Sequence, residues 1–557
     1  MLTFHPPLLT TLPKPNAPFL RLTDTPEPGT AVLIAELASR ADSLLLVLVE
    51  KSQDAHKLAN ALHFYLGQEH QLDAEGEPIG DAEIPIIHLP DWETLPYDSF
   101  SPHEDIISER LKALSQLGEL TRGILILPVQ TLAHRVAPRS HLDGQRFVLK
   151  TGDAFDLISE RRRLERAGYH AVETVHEHGE FAVRGAILDV FPMGSDHPLR
   201  IELFDQDIES LRAFDPDTQR TISKVDQVTL LPAREIPMTE TGIANFRQNW
   251  HETFEGNPRD CSVYQDVSSG LAPPGIEYYA PLFFSDMATL FDYLPNSTTT
   301  IRIGAVHEAL EQFWNDVNTR YESLRHDRRK PLLPPERLFL RTEELFAALK
   351  PYAGVEVIYQ SIDHARLKPL PDVAFNAKSD DPAQALKAFI ARGMRVLFVA
   401  ESPGRREALL ELLAKHGIRP EVIHHFDAVT ETPGALTMTL GLLDAGLCVD
   451  DLAIIPEAQL FGRRVPQRRR RRQHEIASDL IVRDLAEINL GDPIVHIDHG
   501  VGFYRGLETI ALGDDINEFV TVEYQGGAKL YIPVANLGVL SRYAGGDPDA
   551  VSAHKLG

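Results

Sequence analysis

The residues that first suggest chemistry lie just before the first apolar helical stretch, in DTPEPGTAVLIAEL. A phosphate loop of the form G-x-x-x-x-G-K-[ST] supplies backbone N–H groups for phosphate, a lysine charge and a hydroxyl for magnesium. Here Gly29 and Thr30 stand at that place, but no lysine follows, and Glu27 would put a negative charge beside the phosphates. The dipeptide Gly-Lys occurs nowhere in the chain, and no acidic D-E-x-H pair follows an apolar strand. We therefore predict that this chain binds no ATP or magnesium and does not hydrolyse ATP.

Two other stretches contain residue types that bind ions. In HIDHG, at His496–Gly500, strand alternation puts His496 and Asp498 on one face and His499 on the other, and two ligands without a cysteine make a poor zinc site. In SPGRREALLELL, at Ser402–Leu413, a helix N-terminus could hold an anion, but an ordinary capped helix with surface charge is the favoured interpretation. The chain has no G-x-S-x-G elbow and no H-E-x-x-H helix, which argues against hydrolase chemistry. We predict no metal site and no catalytic residue.

Composition limits the class of protein. The 557 residues suggest three or four domains at about 150 residues each. The formal net charge of −26 argues against binding nucleic acid by bulk attraction, so any DNA contact must be local. Only Cys261 and Cys448 occur, which excludes a disulfide framework and a cysteine zinc site. No apolar run approaches the roughly 18 residues of a membrane span, and the N-terminus does not read as a signal peptide. A cytoplasmic protein without a membrane partner is predicted.

The elements that must position these residues alternate in the first part of the chain. SLLLVLVE, IPIIHL and GILILPV read as buried strands, and TAVLIAELASRA, AHKLANALHFYL and EDIISERLKALSQL read as the helices between them. Continuous apolar strands separated by amphipathic helices are typical of a parallel sheet with both faces covered. This layout indicates a RecA-type core.

After about residue 130 the pattern changes to short strands, in FAVRGAILDVFP, PLRIELFD and KVDQVTLLPA, preceded by a helix for which Asp153 is a candidate N-cap. Residues 340–460 alternate again, which predicts a small α/β domain. Farther on, DPIVHIDHG, VGFYRGLETIAL, EFVTVEYQ and AKLYIPVANL read as four short strands, and Gly526-Gly527 suits a type I′ turn between two of them. This last region is predicted to close as a small SH3-like β-barrel.

A run of arginines separates the last two regions. It comprises Arg463, Arg464 and Arg468–Arg472. A solvated linker between acidic domains is the favoured interpretation, and a patch that binds phosphate or an acidic partner is the alternative.

Long motifs resemble a known family. LPDWETLPYDSFSPHEDIISERL, HGEFAVRGAILDVFPMG and GIEYYAPLFF resemble the UvrB-like region of the bacterial transcription-repair coupling factors (Mfd), a region similar to the excision-repair protein UvrB with its ATP site lost. DPIVHIDHGVGFYRGLETI and AKLYIPVANLGVLSRYAGG resemble the CarD-like, RNA-polymerase-interacting domain of that family. The resemblance covers essentially the whole chain. It implies a multidomain α/β protein: a degenerate RecA/UvrB-like parallel-sheet core with an α+β insertion, a small α/β domain and a C-terminal SH3-like β-barrel.

The resemblance also implies an order of domains. The predicted boundaries are 1–124 for a degenerate nucleotide-binding core (1a), 125–205 for a UvrA-binding domain like UvrB domain 2, 206–340 for the completion of the core (1b), 350–460 for a small α/β domain of unassigned role, 461–478 for a basic linker, 479–546 for the CarD-like domain and 547–557 for the start of a linker to a motor. The motor of the family, which carries ATP, magnesium and most DNA contacts, would be absent from this chain, which we therefore expect to be a fragment.

Three residues are predicted to contact UvrA. Glu180, Phe181 and Arg184 share one hairpin in HGEFAVRGAILDVFP, on the domain that binds UvrA in the family. The planar fork of an arginine makes paired bonds to carboxylates, which suits such a surface. From the chemistry alone, the alternative is an internal ion pair for Arg184 and a core position for Phe181. Phe191 is expected in the core.

Three further residues are predicted to contact RNA polymerase. The resemblance implies that the strand edge with His496, Ile497 and Asp498 pairs with the polymerase β subunit through backbone hydrogen bonds. Ile497 would point away from the face with His496 and Asp498, as an apolar anchor; a place in the barrel core is its alternative.

One feature of UvrB is missing. UvrB proteins carry an aromatic hairpin after the YD position, whereas here only Ser99 to Pro102 separate Tyr97-Asp98 from the next helix. Stacking on bases requires several presented aromatic side chains, so this segment is not expected to read DNA damage.

Three functions remain to be compared. The leading prediction is an adaptor that binds stalled RNA polymerase through one domain and recruits UvrA through another, for transcription-coupled repair. The alternatives are an ATP-dependent, UvrB-like enzyme that binds damaged DNA, and a nucleic-acid-binding module that works through Arg468–Arg472.

Overall fold

The computed structural model of the chain describes residues 7–9, 12–67, 84–359, 366–376, 379–424, 426, 429, 432–461, 491–496, 500–512, 515–533 and 540–542. The chain forms two compact units. One comprises Met1–Trp92 and Ser101–Phe461, and the other comprises Glu93–Phe100 and Gly462–Gly557. Of the predicted basic linker at 461–478, all residues after Phe461, including Arg468–Arg472, lie outside the described residues, as does the predicted linker at 547–557.

The first unit begins with alternating strands and helices. In chain order they are β1 (Leu20–Thr25), α1 (Gly29–Arg40), β2 (Leu44–Val49), α2 (Ser52–Tyr65), β3 (Ile86–His88), α3 (Glu104–Leu117), β4 (Gly123–Pro128), α4 (Val129–Ala133), β5 (Arg135–Val136) and α5 (Arg139–Gln145). The next series consists mainly of strands: β6 (Phe147–Lys150), α6 (Leu157–Arg166), β7 (His170–Ala171), β8 (Glu180–Arg184), β9 (Ile187–Val190), β10 (Leu199–Phe204), β11 (Asp207–Phe214), β12 (Thr221–Val225) and β13 (Gln227–Leu230).

Helices dominate the middle of the chain, and strands return after it. The elements there are α7 (Glu240–Thr253), α8 (Ser262–Ser268), β14 (Ala288–Thr289), β15 (Thr299–Ile303), α9 (Val306–Leu324), α10 (Pro335–Leu338), α11 (Thr342–Leu349) and β16 (Ala353–Tyr359). Short 3-10 helices span Pro258–Asp260, Ile276–Leu282 and Leu290–Asp292. The first unit ends with β17 (Leu367–Pro369), α12 (Gln384–Ile390), β18 (Arg395–Ala400), α13 (Pro403–Lys415), β19 (Glu421–Val422), β20 (Leu436–Leu440), β21 (Leu447–Val449), β22 (Leu452–Pro456) and α14 (Glu457–Phe461).

The first six-stranded sheet, here called the core sheet, has the order β1-β16-β15-β2-β4-β3, and each neighbouring pair is parallel. Strands β2 and β4 are buried at every residue, as their uninterrupted apolar sequences predict for a sheet covered on both faces. The predicted parallel sheet is confirmed. Strand β16, however, belongs to this sheet although its residues fall within the predicted 350–460 domain, because an apolar strand does not itself specify which sheet it joins.

The second six-stranded sheet, here called the insertion sheet, has the order β12-β11-β10-β9-β8-β7. Its neighbours are antiparallel except for β7 and β8. The sheet continues through β12, twenty residues beyond the predicted boundary at 205, because β12 completes a meander with β10 and β11. Asp156, not Asp153, caps α6: Oδ2 of Asp156 accepts the Ser159 N–H at 3.2 Å, whereas Asp153 accepts the Lys150 N–H at 2.8 Å.

The third sheet has the order β17-β21-β22-β18-β20-β19 and forms the small α/β region. Its buried side chains lie in two clusters, one on either face of β18. Val396 and Phe398 pack within the region itself, whereas Leu397 and Val399 share one apolar cluster with α1, α2 and the core sheet. Helix α1 is therefore buried from Gly29 to Ala38. The small α/β region and the core sheet share a single hydrophobic core.

The second unit contains β23 (Pro493–His496), β24 (Gly500–Leu512), β25 (Asp515–Glu523), β26 (Lys529–Pro533) and β27 (Leu540–Arg542). They form an antiparallel sheet in the order β26-β25-β24-β23-β27. Val520 and Val522 are buried, and Leu95 packs against their cluster. A 3-10 turn over Gln525–Gly527, with φ of +80° at Gly527, connects β25 to β26 in place of the predicted two-residue turn.

Among the described helices, none has the length and the apolar composition needed to cross a lipid bilayer.

Candidate functional site

The two faces of the insertion sheet differ in character. Across the strands, Ala182, Asp189, Arg200, Arg212 and Lys224 form one register row. The adjacent row, on the opposite face, runs from Phe181 through Val190 and Leu199 to Ala213, all of them buried. Because side chains alternate along a strand, one face packs on the protein interior and the other carries the cations. We call this second face, with Arg184, Asp189, Arg200, Arg212 and Lys224, the arginine face.

A buried carboxylate lies at the centre of the arginine face. Asp189 is only 1% exposed, and its Oδ1 and Oδ2 accept hydrogen bonds from Nε and Nη2 of Arg200 at 2.7 and 2.9 Å. Nη2 of Arg184 donates to the same Oδ2. The guanidinium of Arg200 also lies 4.8 Å from the centre of the Phe214 ring. The hydrogen bond to Asp189 raises the pKa of Arg200, so its guanidinium group stays charged.

The three residues predicted to contact UvrA have different surroundings. Arg184 is 50% exposed, at the end of β8 where Gly185 adopts a φ of +63°. Phe181 is 1% exposed and forms part of the core, so it supports the strand from beneath and does not reach the surface. Oε2 of Glu180 accepts the backbone N–H groups of residues 176 and 177 at 2.8 and 2.9 Å, which holds the preceding turn.

The internal ion pair of Arg184 and the core position of Phe181 agree with the simpler interpretation of this hairpin, and contact with UvrA stays a prediction. Arg184 has an internal ion pair and a half-exposed guanidinium at once, and Phe191 is buried as expected. Sequence reasoning did not find Asp189, Arg200 and Arg212. Strand alternation could have assigned each to a face, but which residues become neighbours depends on the pairing of β8 through β11.

The turn before α1 is closed to phosphate on several sides. The N–H groups of Gly29 and Thr30 donate to the carbonyls of Pro26 and Glu27 at 2.8 and 3.2 Å, so these first donors are already used. A Cβ atom at position 29 would lie 3.2 Å from Cδ1 of Leu367. The α/β region after β16 therefore reaches the place where a bound phosphate would need access.

The charge around this turn is also unfavourable for phosphate. Glu27, Glu50 and Asp54 all act on the hydroxyl of Tyr359, whose pKa is raised mainly by burial and further by these carboxylates. Burial is also the main cause of the raised pKa of Asp54, and Glu50 and Glu27 add to it. A triphosphate would meet like charges here.

The motif LPDWETLPYD builds a buried polar network. Asp91 accepts hydrogen bonds from Gln130 at 3.1 Å and Thr131 at 3.3 Å, and Nε2 of His134 lies 3.3 Å from its Oδ1. Burial lowers the pKa of His134 to about 4 against the opposing effect of Asp91, so the ring is neutral at pH 7. Fully buried Arg110 binds Glu235 at 2.5 Å.

The side chain of Trp92 completes this network. Its ring lies 4.6 Å from that of His134 and 5.5 Å from that of Tyr278, in edge-on contacts. Asp91 and Trp92 are therefore occupied in packing the first unit.

The strand predicted to pair with RNA polymerase has neighbours on both sides. His496 ends β23, where it pairs with Gly500 of β24 and with Leu540 of β27. Within the described residues the free edges of this sheet are β26 and β27, so the expected open edge at β23 is wrong for Pro493–His496. Ile497 and Asp498 lie outside the described residues.

The helix considered as a possible anion site begins at an ordinary N-cap. Oγ of Ser402 accepts the N–H of Arg405 as an N-cap at 3.4 Å, and Arg405 makes hydrogen bonds of 2.9 and 2.7 Å to the two carboxylate oxygens of Glu457. This is the capped helix that was favoured over an anion site. The described residues contain no cluster of three or more side chains suited to hold a metal ion.

Three family models match separate parts of the chain. A UvrB interaction domain matches residues 147–236, which include the insertion sheet and its arginine face. The D3 domain of MFD matches residues 389–460, within the small α/β region. A CarD-like/TRCF RID domain matches residues 488–544, which contain β23 to β27.

Several relatives of the chain carry the same name. The transcription-repair-coupling factor of Escherichia coli K12 is 41% identical over 537 residues, which are 95% of this chain and 45% of the relative. Those of Haemophilus influenzae and Myxococcus xanthus are 40% and 29% identical, over 95% and 93% of the chain. The chain thus spans about half the length of the relatives it matches. Together with the three domain matches, this similarity along nearly its whole length shows that the chain belongs to the transcription-repair-coupling factor family, of which it carries the UvrB-like region and the CarD-like domain.

Proposed function

We propose that this chain is the adaptor region of a protein of transcription-coupled DNA repair. Its CarD-like domain binds stalled RNA polymerase through the β subunit, and its UvrB-like insertion domain recruits UvrA for nucleotide excision repair. The observation that carries the proposal is the half-exposed Arg184 on the arginine face, within the stretch that matches a UvrB interaction domain. Charge-bearing guanidinium groups suit a partner surface with carboxylates.

The proposal includes the absence of ATP chemistry from this chain. The core sheet is a degenerate RecA-like core, and ATP, magnesium and the DNA-translocating motor belong to the remainder of the whole protein. The occupied N–H groups of Gly29 and Thr30, the contact with Leu367 and the acidic surroundings of Tyr359 support it. In the whole protein, DNA contacts would be made mainly by that motor.

For the polymerase-binding domain, we propose an SH3-like barrel that adds a strand of the β subunit to one of its edges. The antiparallel order of β23 to β27 and the match to a CarD-like/TRCF RID domain support this. Among the described strands the free edges are β26 and β27, so we place the added strand on one of these and keep Ile497 as a proposed apolar contact of the partner. Backbone hydrogen bonds along a free edge supply affinity in this mode of recognition, and side-chain pockets supply specificity.

The proposed UvrA-binding surface is tested by co-precipitation with purified UvrA. Arg184→Ala is expected to abolish capture of UvrA while the thermal melt shifts little, because a half-exposed arginine contributes modestly to folding. Arg161→Ala on α6 of the same domain is the matched control, since Arg161 is an exposed arginine whose pair with Glu165 lies within one helix. Equal loss in both variants, or no capture by the unmodified chain, would contradict the proposed UvrA surface.

The proposed polymerase-binding surface is tested by the reciprocal experiment, in which capture of polymerase is lost and capture of UvrA is kept. Ile497→Arg is expected to block capture of the polymerase β subunit and to leave UvrA capture intact, whereas Arg184→Ala does the reverse. Circular dichroism of Ile497→Arg must retain the β signal for the loss to count. Loss of both captures by either variant would indicate general misfolding instead of two separate docking surfaces.

A further inference from the structure

The buried carboxylate of Asp189 requires a positively charged partner. A buried carboxylate costs several kcal/mol to desolvate unless it is paired and hydrogen-bonded, and Asp189 is buried in the middle of a strand. Arg200 by itself satisfies both oxygens with two near-parallel hydrogen bonds of 2.7 and 2.9 Å. The desolvated charge is therefore already neutralised before Arg184 is considered.

Arg184 adds a second cation to a carboxylate that needs only one. The three groups together carry a net charge of +1, and the excess lies on the half-exposed side chain. An arginine has five N–H donors, and Arg184 uses Nη2 on Asp189. No other side-chain partner of Arg184 occurs among the described residues, which leaves the remaining donors for a ligand outside the chain.

The hydrogen bond to Asp189 also fixes the orientation of the Arg184 side chain. A free arginine side chain loses rotamer entropy when a partner fixes it. The bond to Asp189 fixes Arg184 beforehand, on a strand end whose direction is set by the turn at Gly185. Preorganised groups bind more tightly because this ordering cost is already met in the free protein.

We infer that Asp189 is a positioning residue for partner docking: it holds Arg184 so that the guanidinium presents a fixed fork to a carboxylate on the partner. The inference rests on the proposed function, with UvrA as that partner. It predicts that a positive charge at position 184 is not sufficient for UvrA binding. UvrA would recognise the planar guanidinium group in its fixed orientation.

The first test is a double-mutant cycle with the full chain and UvrA, read as dissociation constants. Asp189→Asn and Arg184→Ala are each expected to weaken binding at least about tenfold, because each removes the oriented fork. The double variant is expected to bind no more weakly than Arg184→Ala alone, since Asp189 acts through Arg184. A merely structural role would give losses that add, and additive losses would overturn the inference.

A matched control lies on the same face. Glu202 accepts from Ser210 at 2.7 Å and pairs with Arg212 at 3.1 Å, so Glu202→Gln disturbs a neighbouring carboxylate–arginine pair without touching Arg184. Its affinity for UvrA is expected to change less than about twofold. A loss equal to that of Asp189→Asn would mean that any carboxylate of this face matters, against a specific role for Asp189.

A second variant keeps the inference testable if Asp189→Asn does not fold. Arg184→Lys preserves the charge on an exposed position and removes the planar fork. We expect it to bind UvrA about as weakly as Arg184→Ala, and retention of affinity within about twofold would overturn the inference. These outcomes differ from failure of the proposed function itself, in which the unmodified chain would not bind UvrA at all.

Discussion

At the scale of single residues, residue types and local spacing select candidate side chains but do not show what surrounds them. Arg184 was identified from one hairpin, yet its partner Asp189 and their neighbour Arg200 became visible only with the strands paired. Phe181 shows the converse: alternation along β8 places it opposite Arg184 and so in the core, but which face of β8 is buried is decided by the sheet it joins.

Glu277 provides a residue-scale prediction about pH. Burial raises the pKa of this carboxyl to about 7, partly opposed by the hydrogen bond from Ser101. The folded protein therefore holds a proton that the unfolded chain releases near pH 4.5, and the contribution of Glu277 to stability falls as pH rises from about 4.5 through 7.

Chemical denaturation at several pH values measures this effect. The stability of the unmodified chain relative to Glu277→Gln is expected to decline between pH 5 and pH 8, by up to about 3 kcal/mol. Asp316→Asn serves as a control on α9, at an exposed carboxylate whose pKa is raised by desolvation against the hydrogen bond from Gln312. A difference curve that stays flat over this interval, or rises, would show that Glu277 ionises normally.

At the scale of elements, the strand and helix types were predictable and their partners were not. The apolar runs of β2 and β4 are encoded locally, by the burial that each demands, whereas in β25 the polar Thr521 is as fully buried as Val520 and Val522. The assignment of β16 to the core sheet, and of β12 to the insertion sheet, depends on contacts distant in the chain. The same limit explains why β23 was expected at an edge and lies between two strands.

The shared core around α1 gives an element-scale prediction. Val399 and Val396 lie on the same strand, but Val399 belongs to the cluster with α1 and α2, and Val396 belongs to the cluster of the small α/β region. Val399→Ala and Val396→Ala should each cost about 2–3 kcal/mol, because both valines are fully buried.

Hydrogen exchange distinguishes the two variants. Amide protection in α1 and α2 is expected to fall in Val399→Ala and to stay close to that of the unmodified chain in Val396→Ala. Unchanged protection in both would mean that the core sheet and the small α/β region open independently, against a single shared core.

At the scale of the whole molecule, a net charge of −26 coexists with a face that collects four cations on one sheet. The overall charge gave no indication of that face, because charge on a surface depends on which residues the fold brings together. The long motifs indicated the family, which the similarity along the chain confirms, whereas the weak bulk affinity for nucleic acid expected from composition stays a prediction.

The proposed absence of ATP binding is tested on the whole chain. Titration of fluorescent ATP with magnesium is expected to show no saturable binding, since the turn before α1 offers no lysine, no free first N–H groups and an acidic surrounding. UvrB, which retains its phosphate loop, is the positive control. Saturable, magnesium-dependent binding would favour a UvrB-like enzyme over an adaptor.

The position of Leu367 beside the first turn of α1 limits what a single substitution at this turn can achieve. A lysine introduced there would have to fit beside the leucine and the nearby carboxylates, and trimming Leu367 to alanine to make room would leave a void costing about 2–5 kcal/mol. Engineering a phosphate site at this turn would therefore require coordinated changes in two regions of the chain.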